Sequence, residues 1–246
     1  MLQQLYPTKP VSQFPVRVLT ERKNLKGSTL ITGFHGVGQT GYIATSYMIH
    51  ALKAERIGFV EVANPPPWVG TADGGLVTPF EIYSKGKTVL VKLEFSPHRS
   101  EEAEFAKTIA NWAVREKFKD AILVGGLDIS YRENSDDFCV VPTGAYSNKA
   151  KAFNAPILEP GLLVYGPLAV MLSEFEIHDF PAIAVLPYAE TARADPAAAA
   201  LAIRKIAKTY SFKVNLSELV KDAKFIEKEF EHKTRMTRRS LQRMYA

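Results

Sequence analysis

The chain has 246 residues, of which 46% are hydrophobic and 23% charged, so one sizeable folded core is available. No apolar run approaches the about 20 residues that a membrane-spanning helix requires, and the single cysteine, Cys139, excludes an intramolecular disulfide. The first residues also lack the charged and then apolar pattern of a secretion signal. We therefore expect a cytoplasmic protein with no membrane partner.

The positive charge is concentrated near the end of the sequence. The net charge is +5, and residues 233–243 contain five cations and no acidic residue, so the rest of the chain is neutral (5 − 5 = 0). These cations are Lys233, Arg235, Arg238, Arg239 and Arg243. A nucleic-acid-binding domain more often spreads basic and aromatic residues over a groove or a sheet face. We expect no nucleic-acid partner. The alternative is that the arginines of the basic tail bind DNA or RNA.

The first elements predict a strand, a helix and a second strand. Residues 28–33 form a buried strand that ends in a glycine, a helix follows from about 41 to 53, and residues 57–62 form the next strand. The proline-rich segment 64–70 cannot be regular structure, because consecutive prolines lack backbone donors. It is a loop that carries Trp68, which we interpret as a lid over the sheet or, alternatively, as an oligomer or client surface.

A hairpin and a helix are predicted next. Residues 76–83 and 88–95 are apolar-rich runs joined by a turn around Gly86, and Pro79 indicates an edge strand or a bulge. A helix is then predicted to begin after Ser100, which would be its N-cap, and the carboxylates of Glu101 and Glu102 are expected to be solvated in its first turn.

The second half continues the alternation of strands and helices. Strands are predicted at 121–126, 138–141 and 181–187, a polar loop at 128–137, and a strand-turn-helix at 161–175. Asp195 is predicted to cap a helix that has Pro196 in its first turn, and a final helix begins at about 217 with an apolar stripe that ends at Phe230.

This order predicts a three-layer α/β domain with a largely parallel central sheet, a C-terminal helix and a basic tail. The apolar pattern ends and the charged pattern begins near residue 231. We therefore divide the chain into a domain over 1–231 and a tail over 232–246.

Residues 36–41 match the G-x-G-x-x-G pattern of dinucleotide-binding turns through Gly36, Gly38 and Gly41. They lie between a predicted strand and a helix, and Glu61 follows 20 residues later, where an acid that binds a ribose would lie. This predicts a nucleotide-dependent enzyme. The alternative is a tight turn that packs a helix onto the sheet, since the motif does not start directly after the strand.

Residues 33–41, Gly-Phe-His-Gly-Val-Gly-Gln-Thr-Gly, resemble the glycine signature of the proteasome-assembly-chaperone family, usually close to G-F-P-G-V-G-x-x-G, with His35 at the proline position. Further matches are Gly125-Gly126, Gly161-Leu162-Leu163 and Asp195-Pro196 before three alanines. The resemblance covers about residues 15 to 230. It implies a non-enzymatic, cofactor-free chaperone that binds proteasome α-subunits or α-rings, although some members carry an ATP-grasp-like label.

The resemblance also gives the end of the sequence a role. Some archaeal homologues have a hydrophobic-Tyr-X tail that enters pockets between α-subunits, and Met244, Tyr245 and Ala246 fit this pattern. The expected partner-binding residues are Met244, Tyr245, Ala246, Arg238, Arg239 and Arg243. Because one short tail binds weakly, we expect a homo-oligomer.

Other site types have little support in the sequence. The five histidines are scattered without the spacing of a metal site, so we expect no metal. There is no G-x-S-x-G elbow, and Cys139 lies in an apolar run, where a packed thiol is more common than a nucleophile. We expect no catalytic residues.

Overall fold

The computed structural model describes residues 15–21, 24–72, 75–132 and 136–223. The basic tail, the predicted boundary at 231 and the expected partner-binding residues from Arg238 to Ala246 lie outside these ranges.

The strands are β1 Arg17–Thr20, β2 Thr29–Gly33, β3 Glu55–Glu61, β4 Gly70–Ala72, β5 Gly75–Val77, β6 Phe80–Lys85, β7 Thr88–Leu93, β8 Asp120–Val124, β9 Leu127–Asp128, β10 Phe138–Pro142 and β11 Ala182–Ala189. The α-helices are α1 Thr40–Leu52, α2 Glu102–Arg115, α3 Ser147–Ala150, α4 Pro167–Ile177 and α5 Pro196–Tyr210. A further helix begins at 217, as predicted, and is described to residue 223.

One large sheet has the strand order β1-β3-β6-β7-β2-β8-β11-β10, and β9 pairs beside the end of β11. The four central strands β7, β2, β8 and β11 are parallel, whereas antiparallel pairs flank them at both ends. The helices lie on both faces of this sheet. The predicted three-layer α/β fold with a largely parallel central sheet is therefore confirmed.

Two apolar layers hold the helices against the sheet. On one face α2 and α4 bury Phe105, Ile109 and Phe175. On the other face α1 and α5 bury Met48 and Ile203. The central strands are covered on both sides, which explains why β2 and β8 are short, uninterrupted buried runs in the sequence.

The β6–β7 hairpin is confirmed, and its position changes the neighbours of β2. Gly86 makes its turn with a φ of 58°, in the left-handed region that favours glycine. Because β7 pairs with β2, the hairpin is inserted between β2 and β3, which run in the same direction. The first two strands of the predicted β-α-β unit are therefore not adjacent.

Three local predictions were wrong. The run 76–83 is interrupted at Pro79, and its first part, β5, forms a two-stranded ribbon with β4, which starts at the last residue of the predicted loop 64–70. The predicted loop 128–137 begins inside β9 and continues into a short 3-10 helix. No strand precedes α4 within 161–166, and that helix begins at Pro167.

The start of α2 also differs from the prediction. Glu101, not Ser100, occupies the N-cap position, and its side chain is only 5% exposed rather than solvated. Its carboxylate accepts hydrogen bonds from the backbone N–H groups of Ala63 and Asn64, 3.1 Å each, and from Asn64 Nδ2 at 2.9 Å. These bonds satisfy the buried charge and fix the loop after β3 to α2.

Candidate functional site

The glycine signature lies where α1 contacts the sheet. A Cβ placed on Gly33 would lie 2.4 Å from Gly41 Cα, and one placed on Gly41 would lie 2.4 Å from the Val124 carbonyl oxygen. These neighbours are backbone atoms that cannot rotate away. The two glycines therefore let the first turn of α1 contact β2 and the end of β8 directly.

Gly38 packs against the end of β11 and the start of α5. Its φ of 60° is in the left-handed region, and an added Cβ would lie 2.9 Å from Ala189 Cβ. The N–H of Asp195 donates to the Gly38 carbonyl oxygen at 2.8 Å, and the Asp195 carboxylate accepts from Ala198 N at 3.0 Å, which confirms it as the N-cap of α5. Gly36, by contrast, has open space where a Cβ would be placed and a φ of −143°.

The structure does not bring Glu61 to the glycine turn. Glu61 ends β3, which β6 and β7 separate from β2, and its carboxylate accepts from Arg17 Nε at 2.8 Å at the edge of the sheet. A dinucleotide site needs its ribose-binding acid on the strand next to the glycine turn. The geometry of residues 33–41 instead agrees with the second interpretation of the motif, a tight turn that packs α1 onto the sheet.

His35 is held inside the turn by two neighbours. Its ring stacks on Tyr42 with centroids 4.4 Å apart, and Nε2 lies 3.0 Å from the Leu93 carbonyl oxygen, which can only accept. The Tyr42 hydroxyl donates to Glu94 Oε2 at 2.8 Å. Burial, and then this bond, raise the pKa of Tyr42 to about 12. The imidazole thus joins β2 to the end of β7.

A cleft of about 380 Å³ opens at the carboxyl ends of β2 and β8, beside the glycine turn. Ligands of open α/β sheets commonly bind at this end of parallel strands. The walls are largely apolar and are formed by Phe34, Val37, Leu127, Leu163, Leu168 and Leu186, among others.

The mouth of the cleft is also apolar. We call the exposed side chains of Tyr131, Leu163 and Tyr165 the apolar rim. The cleft lining includes two carboxylates, Glu102 and Asp128, and neither lysine nor arginine. The Ser130 N–H donates to Asp128, which lowers the pKa of that carboxyl group and keeps it ionised.

A second exposed apolar group lies on the loop after β3. Trp68 is 40% exposed and packs edge-on against Phe95, with ring centroids 5.2 Å apart. A Cβ on Gly70 would lie 2.8 Å from the far edge of the Trp68 ring, so the glycine lets the indole pack directly against the backbone. Because Glu101 anchors the start of this loop, the indole is held in place with part of its surface in solvent.

The remaining sequence candidates lie away from the cleft. Cys139 is buried in β10, and its Sγ lies 3.3 Å from the Tyr188 hydroxyl. Within the described ranges, no three or more His, Cys, Asp or Glu side chains form a group that could hold a metal. None of the helices in those ranges combines the length and the apolar character needed to cross a bilayer.

Comparison with known proteins identifies the family. The model of the PAC2 family matches residues 30–233, which is most of the chain. The chain belongs to the PAC2 family. The resemblance to the proteasome-assembly-chaperone family, drawn from the glycine signature, is thereby confirmed.

Solved structures share the fold of this PAC2 chain. The crystal structure of Pyrococcus furiosus PbaA, an archaeal homolog of proteasome-assembly chaperone, superposes with a TM-score of 0.77 at 24% identity and covers 87% of this chain and 94% of its own. Pyrococcus furiosus PbaB, an archaeal proteasome activator, gives a TM-score of 0.75 at 14% identity and covers 89% of this chain and 98% of its own.

A relative is also found by sequence. MJ1210, an uncharacterised protein of Methanocaldococcus jannaschii, is 22% identical over 229 residues, which cover 89% of each chain.

Sequence reasoning found the glycine turn of this PAC2 chain but missed the cleft beside it. The lining comes from five separate segments, which only the fold brings together. The sequence contains one sign of this surface, the short apolar run 162–165 between Gly161 and Gly166. In the structure Leu162 and Val164 of this run pack against the core, whereas Leu163 and Tyr165 are exposed.

Proposed function

We propose that this PAC2 chain is a non-enzymatic proteasome-assembly chaperone or activator. It binds proteasome α-subunits or the α-ring, acts as a homo-oligomer, and contacts its client through Met244, Tyr245 and Ala246. The observation that carries the proposal is the family match over residues 30–233. The likeness of fold to both PbaA and PbaB supports it.

The geometry around the glycine signature also supports an interaction protein over a nucleotide-dependent enzyme. Gly38, the glycine at which a pyrophosphate would approach the backbone of such a site, packs instead against Ala189 and Asp195. This end of the sheet carries two exposed apolar groups, the rim of the cleft and Trp68 with Phe95. Such groups are typical of protein-binding surfaces.

In this proposal the tail supplies specificity and its cations supply attraction. Met244 fills an apolar cleft between α-subunits, the Tyr245 ring packs beside it, and the Ala246 carboxylate pairs with a basic residue of the client. Hydrogen bonds to charged groups contribute about 1.5–3 kcal/mol each, so one tail binds weakly. Arg238, Arg239 and Arg243 direct the tail toward an acidic surface, which makes binding sensitive to salt.

Several tails on one oligomer then bind a ring together. After the first tail engages, the others act at a high effective concentration, which increases affinity without new contacts. A ring-shaped client presents equivalent pockets, and a symmetric homo-oligomer presents equivalent tails.

A co-purification experiment tests the proposal. Purified α-subunits are captured with the full chain and with a variant that lacks residues 244–246, and we expect the deletion to abolish capture while the thermal unfolding curve is unchanged. The matched control replaces the other two apolar residues of the basic segment, Met236→Ala with Leu241→Ala, and should keep capture. Equal capture by the deletion variant and the full chain would rule the proposal out.

A further inference from the structure

The cleft at the carboxyl ends of β2 and β8 is not used by the proposed contact with the client. Its volume of about 380 Å³ is enough for two or three side chains of a peptide. The rim side chains Leu163 and Tyr165 are 62% and 76% exposed. With Tyr131 they place three exposed apolar side chains at one opening, and such a group is typical of a binding surface.

The charges around the cleft restrict what can occupy it. Two carboxylates, Glu102 and Asp128, belong to the lining, with no lysine or arginine among the same residues. A complementary occupant therefore has apolar or aromatic side chains for the walls and cations for the mouth.

One segment of this chain has that composition. Residues 233–246 combine five cations, no acidic residue and the apolar pair Met244 and Tyr245. The predicted apolar stripe of the last helix ends at Phe230, and the 15 residues from there to Tyr245 can span up to about 50 Å when extended. A domain of about 220 residues has a radius of gyration near 17 Å, so a segment of this length is long enough to fold back onto its own domain.

We propose that the cleft is a docking site for residues 233–246 of this same chain. Met244 and Tyr245 enter the apolar cleft against Leu163 and Tyr165, and the arginines of the segment lie near Glu102 and Asp128. This inference rests on the proposed function, because the segment that docks here is the one that binds the client. Docking keeps the tail on the domain until a client pocket competes for it.

Docking of the tail in the cleft lowers the apparent affinity of the chain for its client. A docked tail must leave the cleft before it binds elsewhere, so the apparent affinity for the client falls by the fraction of tails that are free. Loss of the cleft therefore strengthens client binding, whereas loss of the tail abolishes it. These opposite signs separate the two proposals.

The test measures binding of a tail peptide to the full chain. The probe is a fluorescein-labelled peptide of residues 233–246, and the receptor is the full chain with Met244→Ala and Tyr245→Ala, so that its own tail competes poorly. We expect saturable binding by fluorescence anisotropy, and weaker binding to the unmodified chain, whose tethered tail competes at roughly millimolar effective concentration.

A matched pair of variants locates the site. The cleft variant carries Leu163→Asp and Tyr165→Asp, and the control variant carries Ile157→Asp and Ile177→Asp, whose side chains are exposed to the same extent (63% and 73%) but do not line the cleft. All four positions are on the surface, so folding is preserved, which circular dichroism verifies. We expect the cleft variant to bind the peptide at least about tenfold more weakly and the control variant to bind it normally.

The charge contribution is tested separately with Glu102→Gln and Asp128→Asn, which should weaken binding and flatten its salt dependence. Equal binding of the peptide to the cleft and control variants, or no binding to either, overturns the inference. Capture of α-subunits is then compared in chains with the native tail. If the cleft variant captures no more than the wild type while deletion of 244–246 still abolishes capture, the proposed function stands and docking in the cleft is wrong.

Discussion

Gly41→Ala tests whether the glycine signature is a packing device. The new Cβ would lie 2.4 Å from the Val124 carbonyl oxygen and 2.7 Å from the backbone nitrogen of Phe34, whereas ordinary contacts begin near 3.4 Å. The start of α1 must therefore move away from the sheet by about 1 Å. That shift loosens Ala44 and Met48, which are fully buried on the same helix.

The expected loss of stability follows from this displacement. Overpacking a close backbone contact typically costs 1–3 kcal/mol and occasionally more, while the helix preference of alanine over glycine returns about 1 kcal/mol. We expect a net loss of about 2 kcal/mol, equivalent to a fall in Tm of about 4–8 °C for a domain of this size. Urea and thermal unfolding, followed by circular dichroism, measure both quantities.

Gly36→Ala is the matched control, because that position has open space and a φ of −143°. It should change the free energy of unfolding by less than about 0.5 kcal/mol. If Gly41→Ala unfolds at the same urea concentration as Gly36→Ala and the wild type, the contact between α1 and the sheet is not what requires the glycine, and the packing explanation is wrong.

Two further predictions concern the cap of α5 and two tyrosines, partly buried Tyr42 and buried Tyr146. Asp195→Ala removes the acceptor for the N–H groups of Ala198 and Glu190 and should lower the free energy of unfolding in urea by about 1–2 kcal/mol. Asp195→Asn should recover most of this loss. An unchanged unfolding midpoint of Asp195→Ala would contradict the capping role. Burial is the main cause that raises the pKa values of Tyr42 and Tyr146 from 10 to about 12. Their neutral forms therefore stabilise the fold fully below pH 10, and this contribution is lost as the pH rises toward 12. The urea midpoint should fall over that window, less steeply for Tyr42→Phe, and an identical pH dependence of the variant and the wild type would refute the assignment.

Local sequence patterns predicted most of the elements but not how the strands pair. The alternation of short buried runs with amphipathic helices was enough for the α/β class, and Asp195-Pro196 marked the start of α5 correctly. The position of the β6–β7 hairpin between β3 and β2 depends on pairing between β7 and β2, which no local pattern encodes. For this reason the spacing from Gly41 to Glu61 indicated a dinucleotide site, although the two residues lie in different parts of the sheet.

The burial of Glu101 shows a second limit. A carboxylate in the first turn of a helix is ordinarily solvated, and the sequence favoured that interpretation. Its partners are the N–H groups of residues 63 and 64, which belong to a distant loop. A contact over 37 residues of sequence is set by tertiary packing, so neither the anchor of the Trp68 loop nor the cleft could be predicted from local pattern.

The proposed function depends most on binding of Met244, Tyr245 and Ala246 to the client. Its most direct measurement is the affinity of immobilised α-rings for the full chain and for Tyr245→Ala, determined by surface plasmon resonance at two salt concentrations. The account predicts binding of the full chain that weakens with salt and a loss of at least about tenfold for Tyr245→Ala, because an aromatic anchor is removed from a pocket. Equal affinities of the two proteins for the ring would contradict it.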